Sequence, residues 1–127
     1  MAYRILVVDD SELNRKLVTT ILRAKKFDVL EAEDGEQAYK LASEELPDLI
    51  LMDIQLPKED GYSVTHRLRE NPQTKDLKII ALTAHAMSQE EDRAREAGCD
   101  GYLSKPIDTR KLVPEILEVL EGSAEKT

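Results

Sequence analysis

The sequence predicts an α/β fold in which a doubly wound sheet of five parallel strands is flanked by five helices. Two observations predict it: short apolar runs recur along the 127 residues, and a longer amphipathic segment follows each of them. The runs do not alternate polar with apolar residues, which is typical of strands buried on both faces of a parallel sheet. A chain of this length can form one ordinary domain without disulfides or a structural metal.

Five apolar runs are the candidate strands. They cover residues 5–8, 29–30, 49–52, 79–82 and 102–103. The second and fifth runs are shorter and more polar than the others, so we expect them at the edges of the sheet. The run over residues 49–52 is placed on a central strand.

The first helical segment follows directly after the first strand. Ser11 is placed to cap its N-terminus. Its apolar residues are predicted to form the inner face, and its polar residues are predicted to lie elsewhere. The inner set is Leu13, Leu17, Val18, Ile21 and Leu22, and the outer set is Asn14, Arg15, Lys16 and Thr19.

The next three helices are predicted from their start and stop signals. Asp34 with Gln37, and Ser88 with Glu91, match the capping-box pattern at the start of the second and fourth helices. The second helix has Ala38, Leu41 and Ala42 on its inner face. The third runs from about residue 61 to residue 70, because Pro72 prevents continuation. Gly98 is placed to end the fourth helix in the left-handed conformation.

The last helix follows Asp108. Its predicted inner residues are Leu112, Val113, Ile116, Leu117 and Leu120. Pro114 lies among them, and a proline beyond the first turn removes a backbone hydrogen bond. We therefore expect this helix either to start late or to be kinked.

Composition argues against several classes of function. The net charge of −8 disfavours direct nucleic-acid binding, which needs a basic face. No apolar run is long enough to span a bilayer, and the N-terminus lacks the layout of a signal peptide. Cys99 is the only cysteine, and we expect it to be a packed residue rather than a reactive thiol. These features predict a cytoplasmic protein without nucleic-acid or membrane partners.

Polar residues stand at the ends of four of the five predicted strands. They are Asp9 and Asp10 after the first, Asp53 after the third, Thr83 after the fourth, and Ser104 and Lys105 after the fifth. Ligands of open α/β sheets bind beyond the carboxyl ends of the strands. Three carboxylates, a hydroxyl and an ammonium are therefore expected to meet at one edge of the fold.

This set of residue types predicts a metal site and a phosphoryl acceptor. Carboxylates held close together repel unless some are protonated or a cation lies among them, and hard oxygen ligands favour Mg²⁺ or Mn²⁺ over zinc. A carboxylate can attack phosphorus while a metal, a lysine and a hydroxyl stabilise charge on the phosphoryl oxygens. Asp53 is the best candidate nucleophile because it stands alone on a central strand, whereas Asp9 and Asp10 are better placed to hold the metal.

Four motifs resemble those of two-component response-regulator receiver domains, and together they cover essentially the whole chain. They are LVVDD, LILMDIQLPKEDG, IIALTA and GYLSKPID. Each motif alone is a weak signal, but their coincidence is specific. The resemblance implies a stand-alone receiver with the flavodoxin-like strand order 2-1-3-4-5. We expect a receiver domain over residues 1–121 and a short flexible tail over residues 122–127.

The resemblance implies roles for the residues of the predicted site. Asp53 would be the phosphoacceptor, Lys105 would contact the phosphoryl group, and Thr83 would donate a hydrogen bond to it once present. The implied Mg²⁺ ligands are Asp10, Asp53 and the backbone carbonyl of Gln55, with Asp9 acting through water.

Further positions follow from the same resemblance. Tyr102 matches the family's switch aromatic. Gln55 and His85 match the positions that tune the lifetime of the phosphate. The peptide bond between Lys105 and Pro106 is expected to be cis, as X–Pro bonds can be.

The function implied is a phosphorylation-dependent switch rather than an enzyme with a separate substrate. It would catalyse only its own phosphorylation and slow autodephosphorylation. The phosphoryl donor would be a sensor histidine kinase or a histidine phosphotransfer protein, and output would pass to a downstream protein target. We expect a monomer, and dimerisation on phosphorylation stays open.

The fourth helix is the candidate moving part. Its only apolar residues are Ala94 and Ala97, so its packing energy should be small and it should shift easily. Phosphorylation is predicted to draw Thr83 toward the phosphoryl group and to let Tyr102 follow. The face formed by the fourth helix, the last strand and the last helix would then change.

Three alternative functions fit the sequence less well. An aspartyl-phosphate phosphatase places its nucleophile in a D-x-D pattern after the first strand, where this chain has adjacent aspartates. A flavodoxin would have its cofactor repelled by two carboxylates at the phosphate-binding loop. A pseudo-receiver, which is never phosphorylated, usually lacks an acidic or lysine position that this chain keeps.

Overall fold

The computed structural model describes residues 3–84 and 88–121. Its strands are β1 (Arg4–Val8), β2 (Asp28–Ala32), β3 (Leu49–Asp53), β4 (Lys78–Thr83) and β5 (Gly101–Ser104). Its helices are α1 (Glu12–Ala24), α2 (Gly35–Glu45), α3 (Gly61–Glu70), α4 (Ser88–Ala97) and α5 (Thr109–Glu121). The strands are parallel in the order β2-β1-β3-β4-β5, which confirms the predicted fold class and strand order.

The central strand β3 is buried along its whole length, from Leu49 to Asp53. The two edge strands are more exposed: β2 is buried only at Ala32, and every residue of β5 is half-buried. The predicted division into three buried central strands and two polar edge strands is therefore confirmed.

Two apolar cores lie on opposite faces of the sheet. One face is covered by α1 and α5, and its buried residues include Val7, Val18, Leu22, Leu51, Leu82, Leu112 and Ile116. The other face is covered by α2, α3 and α4, and its buried residues include Leu6, Ala38, Ile50, Val64, Leu68, Ala81 and Ala94. Successive residues of each strand contribute to opposite cores, which explains the uninterrupted apolar runs.

The predicted inner face of α1 is partly wrong. Leu13 and Leu17 are 78% and 48% exposed, whereas Arg15 and Thr19 are buried beside Val18 and Leu22. The apolar residues of α1 form two separate rows at i, i+4 spacing, and only the row containing Val18 and Leu22 faces the sheet.

Side chains cap the helices largely as predicted. Ser11 Oγ accepts a hydrogen bond from the Asn14 amide, and Asp34 Oδ1 accepts one from the Gln37 amide. Gly98 follows α4 with φ +104°, the left-handed conformation expected at this position. Capping by the Ser88 side chain is a prediction that falls outside the described part of the chain.

The predicted late start of α5 is wrong, because the helix begins at Thr109 and continues through Pro114. Leu112 and Ile116 are its fully buried residues, as expected. The tail predicted over residues 122–127 lies outside the described residues.

Cys99 and the apolar content of the helices agree with what the sequence predicts. Cys99 is buried, and burial raises the pKa of its thiol to about 11, as expected of a packed residue rather than a reactive one. No helix within residues 3–84 and 88–121 combines the length and the apolar composition needed to cross a membrane.

Candidate functional site

The carboxyl edge of the sheet brings together the predicted acidic residues and the predicted lysine. Asp9 and Asp10 follow β1, Asp53 ends β3, and Lys105 follows β5. One carboxylate oxygen from each of the three aspartates lies within 4.8 Å of the other two. Asp9 and Asp53 are almost fully buried, whereas Asp10 is exposed at the mouth of the cluster.

Asp53 is held on both of its carboxylate oxygens. Oδ1 accepts a hydrogen bond from the Gln55 amide at 3.0 Å, and Oδ2 accepts one from Lys105 Nζ at 2.8 Å. The side chain of Gln55 itself is exposed. These contacts fix the position of the carboxylate before any ligand arrives.

Burial raises the pKa of Asp53 above its ordinary value. The hydrogen bonds from Lys105 and from the Gln55 amide, and the charge of Lys105, lower the pKa, while the nearby charge of Asp9 raises it further. The effect of burial on the pKa is larger than the opposing effect of Lys105. The ionised Asp53 carboxylate is therefore less stable in the folded protein than it would be in water. A second cation in the cluster would relieve that cost.

Asp9 is fixed through its main chain and its side chain. Its amide donates to the Ala32 carbonyl at 3.1 Å, and its Oδ1 accepts from the Ser11 amide at 2.9 Å. Its Oδ2 lies 3.6 Å from Lys105 Nζ, so the lysine bridges Asp9 and Asp53. The Lys105 amide donates to the Thr83 carbonyl at 2.7 Å, which ties the end of β5 to the end of β4.

Thr83 and Tyr102 lie on neighbouring strands. Thr83 is buried at the end of β4, which pairs with β3, the strand that ends in Asp53. Tyr102 is half-buried on β5 in register with Ala81, and it lines an open groove with Glu91 and Arg95 of α4. The Lys105–Pro106 peptide bond is cis, as expected. His85 lies outside the described residues.

Gly61, at the start of α3, is a site residue that the sequence analysis missed. A Cβ atom there would lie 2.4 Å from the Asp53 carbonyl oxygen and 2.9 Å from Ile54 Cα. The Gly61 amide donates to the Ile54 carbonyl at 2.9 Å. Only glycine allows the loop after β3 to return this close to the Asp53 main chain. The DG pair in the KEDG segment is the signal that could have shown it.

Arg15 of α1 is a second residue that the sequence analysis placed wrongly. It is 8% exposed, and Nη1 donates to the Asp9 carbonyl at 2.7 Å. The signal for this contact is the position of Arg15 in the first turn of α1, directly after the aspartate pair.

The donor set fits a hard divalent cation. The cluster offers only carboxylate oxygens, without histidine or cysteine among the described residues that form it. Oxygen ligands of this kind suit Mg²⁺, Ca²⁺ or Mn²⁺ rather than zinc. A cation here would also offset the burial cost of Asp9 and Asp53.

Comparison with known proteins agrees with this geometry. The profile of the response regulator receiver domain matches residues 5–117. The polar-differentiation response regulator DivK of Brucella anthropi is 40% identical over 122 residues, or 96% of each chain. The chain belongs to the response regulator receiver domain family.

Two solved receiver domains resemble this one closely. The receiver domain of sensor histidine kinase PA1611 from Pseudomonas aeruginosa, solved with a magnesium ion in its active-site cleft, has a TM-score of 0.86 and 33% identity, and the match covers 94% of this chain and 98% of that one. The receiver domain of Ssk1 from Saccharomyces cerevisiae, solved with the histidine phosphotransfer protein Ypd1, has a TM-score of 0.85 and 28% identity over 92% and 88% of the chains. This receiver therefore acts in two-component or phosphorelay signalling, where receivers interact with histidine kinases or phosphotransfer proteins.

Proposed function

We propose that this receiver is a switch in which Asp53 accepts a phosphoryl group from a phosphohistidine, with Mg²⁺ bound at the acidic cluster. The observation that carries the proposal is the buried Asp53 carboxylate, held 2.8 Å from Lys105 Nζ beside two further aspartates. A buried carboxylate whose pKa is raised, at the ligand-binding edge of the sheet, is typical of a functional group rather than a structural one.

The transfer balances with the residues present. A bond forms between an Asp53 carboxylate oxygen and phosphorus, and the phosphorus–nitrogen bond of the phosphohistidine breaks. The imidazole leaves with that electron pair and takes a proton from solvent. Lys105 stabilises the phosphoryl oxygens as a cation, and Thr83 donates a hydrogen bond to the product.

Magnesium would be held by oxygens of Asp10 and Asp53 and the Gln55 carbonyl, with Asp9 acting through water. The convergence of the three carboxylates and the magnesium in the related PA1611 receiver support this assignment. When bound, the ion would neutralise negative charge on the phosphoryl group. No separate substrate is proposed, so the protein acts as a signalling switch that catalyses only its own phosphorylation and dephosphorylation.

The exposed leucines of α1 support a helical donor. Leu17 lines an open groove with Asp9 and Lys105, and Leu13, one helical turn before it, is also exposed. An apolar row flanking the phosphoacceptor suits a helix that presents its histidine to Asp53. The Ssk1 receiver bound to Ypd1 is a related pairing.

Output is proposed to pass through the face formed by α4, β5 and α5. The groove on this face contains Tyr102 together with Glu91, Arg95 and Glu115. A shift of Tyr102 that follows Thr83 would change this groove, and a protein target that binds one form better would detect the change.

The proposal is tested by incubating the protein with acetyl phosphate and Mg²⁺ and measuring its intact mass. We expect one hydroxylamine-sensitive phosphoryl group on the wild type and none on Asp53→Asn. Omission of Mg²⁺ should abolish labelling of the wild type. Labelling of Asp53→Asn to the wild-type extent would remove Asp53 from this role.

Docking of the phosphoryl donor at α1 is tested separately. Leu17→Ser should slow transfer from a phosphorylated histidine phosphotransfer protein while leaving labelling by acetyl phosphate unchanged. Leu46→Ser is the matched control, because Leu46 is 52% exposed at the end of α2. Equal slowing by both variants would contradict docking at α1.

A further inference from the structure

Arg15 is a charged residue buried directly behind the acidic cluster. It is 8% exposed, although a guanidinium is among the groups least often buried. Burying a charge is costly unless the charge is paired and hydrogen-bonded, so the contacts of Arg15 should indicate what it does. Its partners are the Asp9 carbonyl and the Glu31 carboxylate.

The carbonyl that Arg15 binds belongs to the peptide that joins Asp9 to Asp10. Nη1 donates to this oxygen at 2.7 Å, while the Asp9 amide donates to the Ala32 carbonyl at 3.1 Å. The Asp9 amide belongs to the preceding peptide, so β2 holds the Val8–Asp9 peptide while Arg15 holds the Asp9–Asp10 peptide. Because a peptide is planar, fixing its oxygen also fixes where the next residue begins.

Asp10 depends on that peptide more than Asp9 does. Asp9 Oδ1 is also held by the Ser11 amide at 2.9 Å. Among the described residues, the Asp10 carboxylate has neither a hydrogen bond nor an ion pair, and it is exposed. Its position relative to Asp53 is thus set by its main chain, which Arg15 holds.

The second contact of Arg15 fixes the guanidinium itself. Nε donates to Glu31 Oε1 at 3.2 Å, on the neighbouring strand β2. Two donors of one planar group therefore hold two acceptors on different elements, a geometry that lysine does not reproduce. Arg23, on the same helix, also faces Glu31 at 3.8 Å but is 57% exposed.

We propose that Arg15 is a positioning residue of the metal site: its guanidinium orients the Asp9–Asp10 peptide and so places the Asp10 carboxylate for Mg²⁺. This inference rests on the proposed function. The positive charge of Arg15 acts in the opposite direction, because it repels a cation. The orienting effect of Arg15 on Asp10 outweighs this repulsion, so removing Arg15 weakens Mg²⁺ binding.

The test is titration of the unphosphorylated protein with MgCl₂, followed by backbone amide shifts. Arg15→Lys keeps the charge but loses the planar fork, and Arg15→Met loses both. We expect both variants to raise the Kd for Mg²⁺ about tenfold, the range seen when residues that orient metal ligands are removed. Arg23→Met is the matched control and should stay within about twofold of the wild type, because the Arg23 side chain is exposed and its one ion pair among the described residues is with the exposed Glu31.

A second measurement separates positioning from general stability. Thermal unfolding is recorded with and without Mg²⁺, and the Mg²⁺-dependent rise in Tm should shrink in Arg15→Lys, whatever happens to the metal-free Tm. Wild-type Kd values in both Arg15 variants, or tighter binding by Arg15→Met, would overturn the proposal. Failure of the wild type to bind Mg²⁺ would instead overturn the proposed function.

Discussion

The elements on the two sides of β3 are held in different ways. On the α1 side, Asp9 is fixed by a main-chain hydrogen bond to Ala32 of β2 and by the buried Arg15, and α1 also packs Val18 and Leu22 into the core. On the α4 side, only two apolar residues of the helix, Ala94 and Ala97, reach the core. The site is therefore built on rigid elements, whereas the neighbouring helix has little apolar packing to lose if it moves.

Polar contacts at both ends of α4 compensate for its small apolar face. Near its start, the Tyr62 hydroxyl donates to Glu90 Oε1 at 2.6 Å, and Glu90 is 8% exposed. At its end, Arg69 Nη2 donates to the Gly98 carbonyl at 2.6 Å. A helix held by a few directional bonds can change position by exchanging them, which a close-packed helix does not do.

The largest effect is expected at the rigid site. Gly61→Ala places a methyl group 2.4 Å from the Asp53 carbonyl oxygen, and the contacted atom is main chain. We expect the free energy of unfolding to fall by about 3 kcal/mol, the upper part of the range for overpacking. Urea denaturation measures this change.

Gly35→Ala is the comparison for Gly61→Ala. There the nearest atom, at 2.6 Å, is the Val64 Cγ2 methyl of a side chain. A side chain can turn where main chain cannot, so we expect a loss of about 1 kcal/mol. If Gly61→Ala cost no more than Gly35→Ala, the loop after β3 would not be as rigid as we argue.

The second effect concerns the first turn of α4. Tyr62→Phe removes the donor to a nearly buried carboxylate, and a hydrogen bond to a charged group contributes about 2 kcal/mol. We expect the free energy of unfolding to fall by that amount. Relative to the wild type, amide hydrogen exchange should become faster in α4 and change less in α1. Tyr39→Phe is the control, because the half-buried Tyr39 hydroxyl accepts a bond from the neutral Asn71 side chain rather than donating to a carboxylate. Unchanged exchange in α4 would show that the Tyr62 bond does not hold it.

Much of this arrangement could be predicted from the sequence, because strand ends are positioned by topology. Apolar runs identify the strands, and parallel pairing then brings Asp9, Asp53 and Lys105 to one edge whatever the details of packing. The side of α1 that faces the sheet could not be predicted in the same way. Its leucines form two rows, and the burial of Arg15 depends on Glu31, which lies 16 residues away.

The hydrogen bond between Tyr62 and Glu90 could not be predicted from the sequence either. The two residues are 28 positions apart and meet only after α3 and α4 have packed. Neither has a local signal, because a tyrosine in α3 and a glutamate in α4 are each ordinary for a helix. Contacts between side chains of different elements depend on how those elements pack. The periodicity of a single element does not predict that packing.

The third effect is a pH dependence at Asp53. Burial raises the pKa of Asp53 in the folded protein above its value of about 3.9 in the unfolded chain, so the folded state binds more protons between the two values. Stability without metal should therefore fall as pH rises through this window. Asp53→Asn carries no such charge and should be more stable than the wild type at pH 7.

Two conditions should remove the advantage of Asp53→Asn. At a pH below about 3.9 the carboxyl is protonated in both states, and the two proteins should unfold alike. At pH 7 with Mg²⁺, binding stabilises the wild type and should reverse the order. A wild type more stable than Asp53→Asn at pH 7 without metal would mean that Lys105 outweighs desolvation.

The smallest effect is expected for the surface charges of α4. Arg95 is 67% exposed and lies 3.1 Å from Glu91 Oε2 and 3.5 Å from Asp92 Oδ1. Exposed pairs at helical spacing contribute at most about 0.5 kcal/mol, and salt screens them. We therefore expect Arg95→Gln to change the free energy of unfolding by less than that, with the change vanishing in 1 M NaCl, a high ionic strength. A loss as large as that of Tyr62→Phe would mean that ion pairs on the exposed side also hold α4. The hydrogen bonds at its two ends would then not be its main polar contacts.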